Sequence, residues 1–207
     1  CTIKEAYIAA LGQARRSVYI ENQYLWPEAF VGLDHLRWGE RSPDAMAVLE
    51  AMAAALDRGV SVSIVLPDHP NCGRRFTDGG VAWLRARAPA AAASGQLGIF
   101  TLGSSEDDAS VPGGVLYRPV YVHAKVMIVD DQWWTAGSAN LNSRGMQSDA
   151  EINVASLDPA VANDLRLRLW SEHLRLADAD RVHLSDPLVA LPVLRAAADA
   201  NRARVGQ

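Results

Sequence analysis

Between Tyr121 and Asn142 the chain reads YVHAKVMIVDDQWWTAGSANLN, which sets a histidine two residues before a lysine inside an apolar run. Side chains alternate across a strand, so a regular strand here projects His123, Lys125, Met127 and Val129 from one face and Ala124, Val126, Ile128 and Asp130 from the other. An imidazole can attack, or give and take a proton, near neutral pH, and an ammonium beside it can hold a negatively charged group in place. The pair suits a phosphoryl group. By the same alternation Asp130 faces away from it, and its expected work is structural, tying the strand end or the turn.

Further residues supply the remaining roles. In GSANLN, Ser138 and Asn140 share parity and follow a glycine that lets backbone come close; both side chains can donate hydrogen bonds to an oxyanion. Glu151, in DAEINV, is the candidate acceptor for the second ring nitrogen of His123, fixing its tautomer as the third member of a triad does. A histidine-x-lysine triplet alone is a weak signal. The aspartate, the Gly-Ser-x-Asn segment and the glutamate are what turn it into a site. No cluster of cysteine, histidine and carboxylate has convincing ligand spacing, so neither metal nor cofactor is implied.

The elements that must position these groups follow a βαβ rhythm. Alanine-rich amphipathic stretches (IKEAYIAALGQARR, DAMAVLEAMAAALDRG, GGVAWLRARAPAAAA) alternate with β-branched runs (SVYIENQYL, VSVSIVLP, QLGIFTL). An α/β fold is expected, a mixed, mostly parallel sheet sandwiched between helices. LYRPVYVHAKVMIVDD and QWWTAGS read as neighbouring strands joined at Asp130-Asp131-Gln132, with another strand in AEINVASL. Two helices close the chain, the second bent or started late at Pro192. GSSEDDASVPGG reads as an acidic, turn-rich loop, and WPEAFVGLDHLRWGE as an irregular aromatic segment that either covers a substrate or packs its own tryptophans. One unit over 1–207 is expected, with the motif region at 117–156 and C-terminal helices at 158–204.

Polar residues ending the first strand, Glu21, Asn22 and Gln23, with Tyr24 after them, fall at the edge of the sheet where α/β proteins bind ligands and are candidates to line the substrate. Trp133 and Trp134 face opposite ways, so at least one belongs to the core. His173 reads as a capping or packing residue, RLRLWSEHLR as a solvated helix face, and Arg74 and Arg75 as loop ion-pair partners.

The 207 residues carry a formal charge of −4, which disfavours a general nucleic-acid footprint and leaves room for a local basic pocket. Cys1 and Cys72 define neither a disulfide framework nor a metal site and read as free thiols. No apolar run is long enough to span a membrane, and the start has neither a basic leader nor a methionine, as expected of a processed or excised chain. The compartment is open; a secreted or membrane-peripheral bacterial setting fits.

His123-x-Lys125-x4-Asp130, followed by GSANLN and Glu151, is similar to the HKD motif of the phospholipase D superfamily. VYIENQYL at Val18 to Leu25, VSIVLP at Val62 to Pro67 and LWSEHL at Leu169 to Leu174 resemble landmarks of the C-terminal half of two-motif members, in the same order. The family's NxRSM segment stands here as NSRGM, with Gly145 in the serine position. The resemblance implies a covalent reaction in which one histidine attacks phosphorus and the histidine of a second motif serves as acid and base. His123, in the C-terminal position, takes the acid-base role.

His35, His69, His173 and His183 are not followed by a lysine two residues on, so this chain supplies one half-site. The resemblance therefore implies a second HKD half, either an N-terminal half chain or a symmetry-related copy, and a phospholipid substrate met by transient membrane-surface contact, with nucleic acid not preferred. Two alternatives stand beside it: a homodimeric single-motif nuclease or phosphodiesterase, and a noncatalytic lobe that binds phospholipid or protein.

Overall fold

The computed structural model describes residues 2–31, 35–69 and 73–206, with backbone alone at 29–31, 35–39, 178 and 179. Cys1 and Cys72 lie outside the described residues. Helix α1 (Ile3–Gln13) starts at Thr2, whose hydroxyl accepts from the Glu5 N–H while the Glu5 carboxylate accepts from the Thr2 N–H, a reciprocal capping box. Strand β1 (Ser17–Asn22) follows, then a hairpin of β2 (Glu28–Val31) and β3 (His35–Arg41). The segment expected to be irregular is thus largely paired strand.

Helix α2 (Pro43–Asp57) is capped by Ser42 with proline at its start, and Gly59, at φ +90°, turns the chain into β4 (Ser61–Leu66). Helices α3 (Arg74–Arg87) and α4 (Pro89–Ser94) lead to β5 (Leu97–Thr101). Then come β6 (Gly103–Asp107), β7 (Val115–Pro119), β8 (Lys125–Val129), β9 (Trp133–Gly137), β10 (Asn153–Ser156), α5 (Pro159–Leu174) and α6 (Pro187–Val205).

The main sheet has the order β10-β9-β8-β1-β4-β5. β1, β4 and β5 run parallel; β8 pairs antiparallel with β1, β9 with β8, and β10 with β9, so four of the six strands point the same way. This is the mixed α/β sheet that the alternation of elements predicts. Every residue of β1 and β4 is buried, as their unbroken apolar runs require of strands covered on both faces. Val18, Ile20, Val62, Ile64, Met127 and Val129 pack against α1 and α2 through Leu11, Leu49 and Met52, while Tyr19, Val65 and Ile128 meet Trp170 and Leu194 on the other side. The tryptophan pair divides between the two: Trp133 joins the first cluster and Trp134 the second.

Three expectations need correction. The strand anticipated from Tyr117 through Asp130 is two strands, because residues 120–124 leave the extended ladder and the Val122 N–H turns back to the Val120 carbonyl at 3.0 Å. Pro119, which offers no N–H to a ladder, closes β7. The acidic loop GSSEDDASVPGG is in good part β6, paired in register with β7; a Cβ on Gly103 would stand 2.3 Å from the Tyr117 ring, which packs over the glycine. Finally, α6 begins at Pro187 under an Asp186 cap and carries Pro192 inside it, rather than starting late.

Candidate active site

The antiparallel pairing of β8 with β1 sets Asn22 opposite Lys125, so the last residues of β1 and the first of β8 meet at one edge of the sheet. Lys125 is 5% exposed. Its ammonium donates to the Gln23 side-chain carbonyl at 3.1 Å and to the His123 backbone carbonyl at 2.8 Å, and stands 3.3 Å from His123 Nδ1. His123 itself is exposed and precedes β8. Imidazole and ammonium therefore meet, but through a bend before the strand rather than by alternation along it. Burial lowers the Lys125 pKa from its ordinary value, and the negative charge of Glu151 works against that shift.

Gln23 is the hinge of this edge. Its amide nitrogen donates to the Tyr121 hydroxyl at 2.6 Å and the Tyr24 hydroxyl at 3.0 Å, while its oxygen accepts from the Lys125 ammonium. The Tyr121 ring lies parallel to the His123 ring, 6.0 Å between centroids, and meets His69 edge-on at 5.4 Å. One glutamine thus holds Lys125 directly and His123 through Tyr121. Tyr24 completes the wall, its ring 4.0 Å from that of Trp26.

Glu21 and Asn22, expected to line a substrate, are spent inside the protein. Asn22 is fully buried: its oxygen accepts from the N–H groups of Leu141 and Tyr24 at 3.1 Å, and its nitrogen reaches the Ala139 carbonyl at 3.5 Å. It clamps the GSANLN loop against β1. Glu21 accepts from the Tyr19 hydroxyl and lies 2.9 Å from His173 Nε2, which is also 3.0 Å from that hydroxyl. His173, read from the sequence as a capping or packing residue, is therefore the partner of Glu21, and the landmarks VYIENQYL and LWSEHL touch through this pair. The sequence signal was their shared presence, which says nothing of contact between residues 152 positions apart.

The opposite wall comes from the loop after β9. A Cβ on Gly137 would lie 2.2 Å from the Ile152 carbonyl, so the strand and the segment before β10 approach as only glycine allows. Ser138 donates through its hydroxyl to the Glu151 carboxylate, and its backbone N–H reaches the Ile152 carbonyl at 3.0 Å. Among the described residues the hydrogen bond of Glu151 is with Ser138; none joins it to His123. The Asn140 side-chain oxygen is buried and has no hydrogen-bond partner among the described residues. The Gly145 N–H bonds to the Asn142 side chain at 2.8 Å, and a Cβ there would stand 2.4 Å from the Asn140 carbonyl. The glycine in place of serine is thus what the packing of Asn140 demands.

Asp130 lies at the far end of β8, in the left-handed region at φ 54°. Its carboxylate accepts from the N–H groups of Arg15, Arg16 and Ser17 at 2.7, 2.8 and 2.8 Å, pinning the junction of α1 and β1.

Compared with known proteins, the chain matches the family model "Cardiolipin synthase, PLD-like domain" over residues 7–171. The chain belongs to the phospholipase D superfamily. Phospholipase D alpha 3 of Arabidopsis thaliana is 27% identical over 84% of this chain and 28% of its own length, and phospholipase D zeta 1 of the same plant is 29% identical over 90% and 20%. This phospholipase D-like chain thus spans under a third of the curated relatives it matches. Two solved structures share its fold: the phospholipase D family member Nuc from Salmonella typhimurium (19% identity, TM-score 0.51) and NucT from Helicobacter pylori (15%, 0.54). Each alignment covers 83% of this chain and 86% of the other. Among the described residues no helix is long and apolar enough to cross a membrane.

Proposed function

We propose that this chain is one half-site of a phospholipase D-type phosphodiesterase or phosphatidyltransferase acting on phospholipids. The observation that carries the reading is the buried Lys125 ammonium 3.3 Å from the ring of an exposed histidine, at the edge where β1 and β8 meet. A phosphoryl oxygen entering there gains the ammonium charge, and the side-chain NH2 of Asn140, not its carbonyl oxygen, is the group that can donate to it. A histidine of the complementary half forms the N–P bond as the P–O bond to the leaving alcohol breaks, and His123 hands that alcohol its proton. His123 then takes a proton from water or an acceptor alcohol as the new P–O bond forms and the N–P bond breaks. Ser138 and Glu151, joined to each other, hold the loop that carries Asn140 and keep a negative charge near Lys125.

A second reading is a homodimeric single-motif phosphodiesterase acting on nucleic acid, in which a copy of this chain supplies the other histidine. What favours it is the shared fold with Nuc and NucT, of each of which this chain matches 86%. Mass in solution, measured together with release of headgroup from phosphatidylcholine and nicking of plasmid DNA, separates the two. The first reading expects a monomer that turns over phosphatidylcholine once the complementary half is supplied. DNA cleavage alone, from a dimer, would replace it with the second.

A further inference from the structure

A cavity of about 640 Å³ opens between the C-terminal ends of β4 and β5, helix α3, the end of α5 and the last turns of α6. None of His123, Lys125, Asn140 or Glu151 lines it. Five arginines do: Arg74, Arg85, Arg175, Arg202 and Arg204, a quarter of the 20 basic residues in a chain whose net charge is −4. Its acidic lining residues are Asp68 and Asp78, both ion-paired with Arg74, and Arg204 is held by Asp107 at 2.7 Å. The side chains of Arg85, Arg175 and Arg202 have no hydrogen bond or ion pair among the described residues.

Those three come from three different elements, so they are not the polar face of one solvated helix. Arg175 caps α5 in the left-handed region at φ 54°, where the Leu176 N–H returns to the Ser171 carbonyl at 2.9 Å. That position ordinarily belongs to glycine. An arginine kept at that position is one of the residues that line the cavity. The lining also includes apolar side chains, among them Leu66, Val81, Ile99 and Phe100.

We propose that this groove is an anion site, separate from the diester site, for a ligand bearing a phosphomonoester or pyrophosphate-type group. Guanidinium groups converging from several sides match the many oxygens and double charge of such a group better than those of a single carboxylate. The apolar part of the lining accepts a short hydrocarbon segment beside it. The proposal does not rest on the role given to His123.

Calorimetric titration of the chain with inorganic pyrophosphate tests it, with three variants: the triple substitution Arg85→Glu, Arg175→Gly and Arg202→Glu, the single Arg175→Gly, and His123→Ala. Binding should weaken as salt rises, fall at least about tenfold in the triple variant, and persist in His123→Ala. Arg175→Gly should bind more weakly while melting no lower than the unchanged chain, which a purely structural arginine would not do. Sedimentation with phosphatidylcholine vesicles, with and without added phosphatidate, identifies the source. Retention on phosphatidate vesicles that pyrophosphate displaces assigns a lipid headgroup; pyrophosphate binding without vesicle retention assigns a soluble phosphate. No binding of either probe, equal binding by the triple variant, or loss in His123→Ala alone would overturn the assignment.

Discussion

At the far end of β8 the carboxylates of Asp130 and Asp131 have every oxygen occupied; at the near end, among the described residues, His123 and Asn140 leave polar atoms open. Asp130 takes three backbone N–H groups, and Asp131 takes two nitrogens of Arg166 at 2.7 Å and the Asn163 amide at 2.9 Å. Arg166 is 1% exposed, donates further to the Leu184 and Ser185 carbonyls and lies over the Trp170 ring. At the near end one ring is exposed and one buried amide oxygen is unpartnered among the described residues. Polar groups that are satisfied within the protein hold a fold together, whereas groups left partly unsatisfied at an edge are available to a substrate. Four residues separate Lys125 from Asp130, so one short strand carries both kinds.

This contrast can be broken from either end. The largest effect on stability is expected of Asp131→Ala, which leaves the Arg166 charge buried without its partner: a loss of about 3–5 kcal/mol in chemical denaturation. Asp130→Ala exposes three N–H groups at a partly solvated junction and should cost about 1–3 kcal/mol, read the same way. In both variants, turnover at a temperature where the chain stays folded should be nearly unchanged. Gln23→Ala should act on both, costing about 1–3 kcal/mol because the buried Lys125 ammonium loses an acceptor, and lowering the rate about tenfold because Lys125 and Tyr121 lose their common anchor.

Legibility divides along the same line. The fold class was readable because β1 and β4 are buried on both faces, and burial of that kind writes itself as a continuous apolar run. The spacing anticipated that His123 and Lys125 lie together and that Asp130 works structurally, though the first two meet through a bend rather than by alternation. Partners distant in the chain were not readable: RLRLWSEHLR read as a solvated face, yet it holds the buried Arg166, whose partner Asp131 lies 35 residues away, beside the exposed Arg168. Glu21 and Asn22 looked like site residues because strand ends often are, and only the closeness of His173 and of the GSANLN backbone consumes them. The bend at 120–124 escaped because VYVHAKV has the composition of a strand whether or not a neighbour is there to pair with it. Arg74, read as a loop ion-pair partner, does pair with Asp68, from the first turn of α3.

The smallest of the expected effects concerns pH. Burial makes Lys125 lose its proton at a lower pH than an exposed lysine, so the alkaline limb of the rate profile should fall below the ordinary lysine value of 10.5. The Glu151 charge opposes that shift, so Glu151→Gln should move the limb further down. A limb that stays in place would mean the lysine is not what titrates.

The pairing of His123 with Lys125 as the centre of phosphoryl chemistry is tested most directly by His123→Ala. Its turnover of phosphatidylcholine, with the complementary half present, is measured beside its melting temperature. The expected result is a fall of about 10²–10⁴-fold in rate with an unchanged melting temperature, since the ring is exposed and its loss empties no core. A rate near that of the unchanged chain would contradict the assignment.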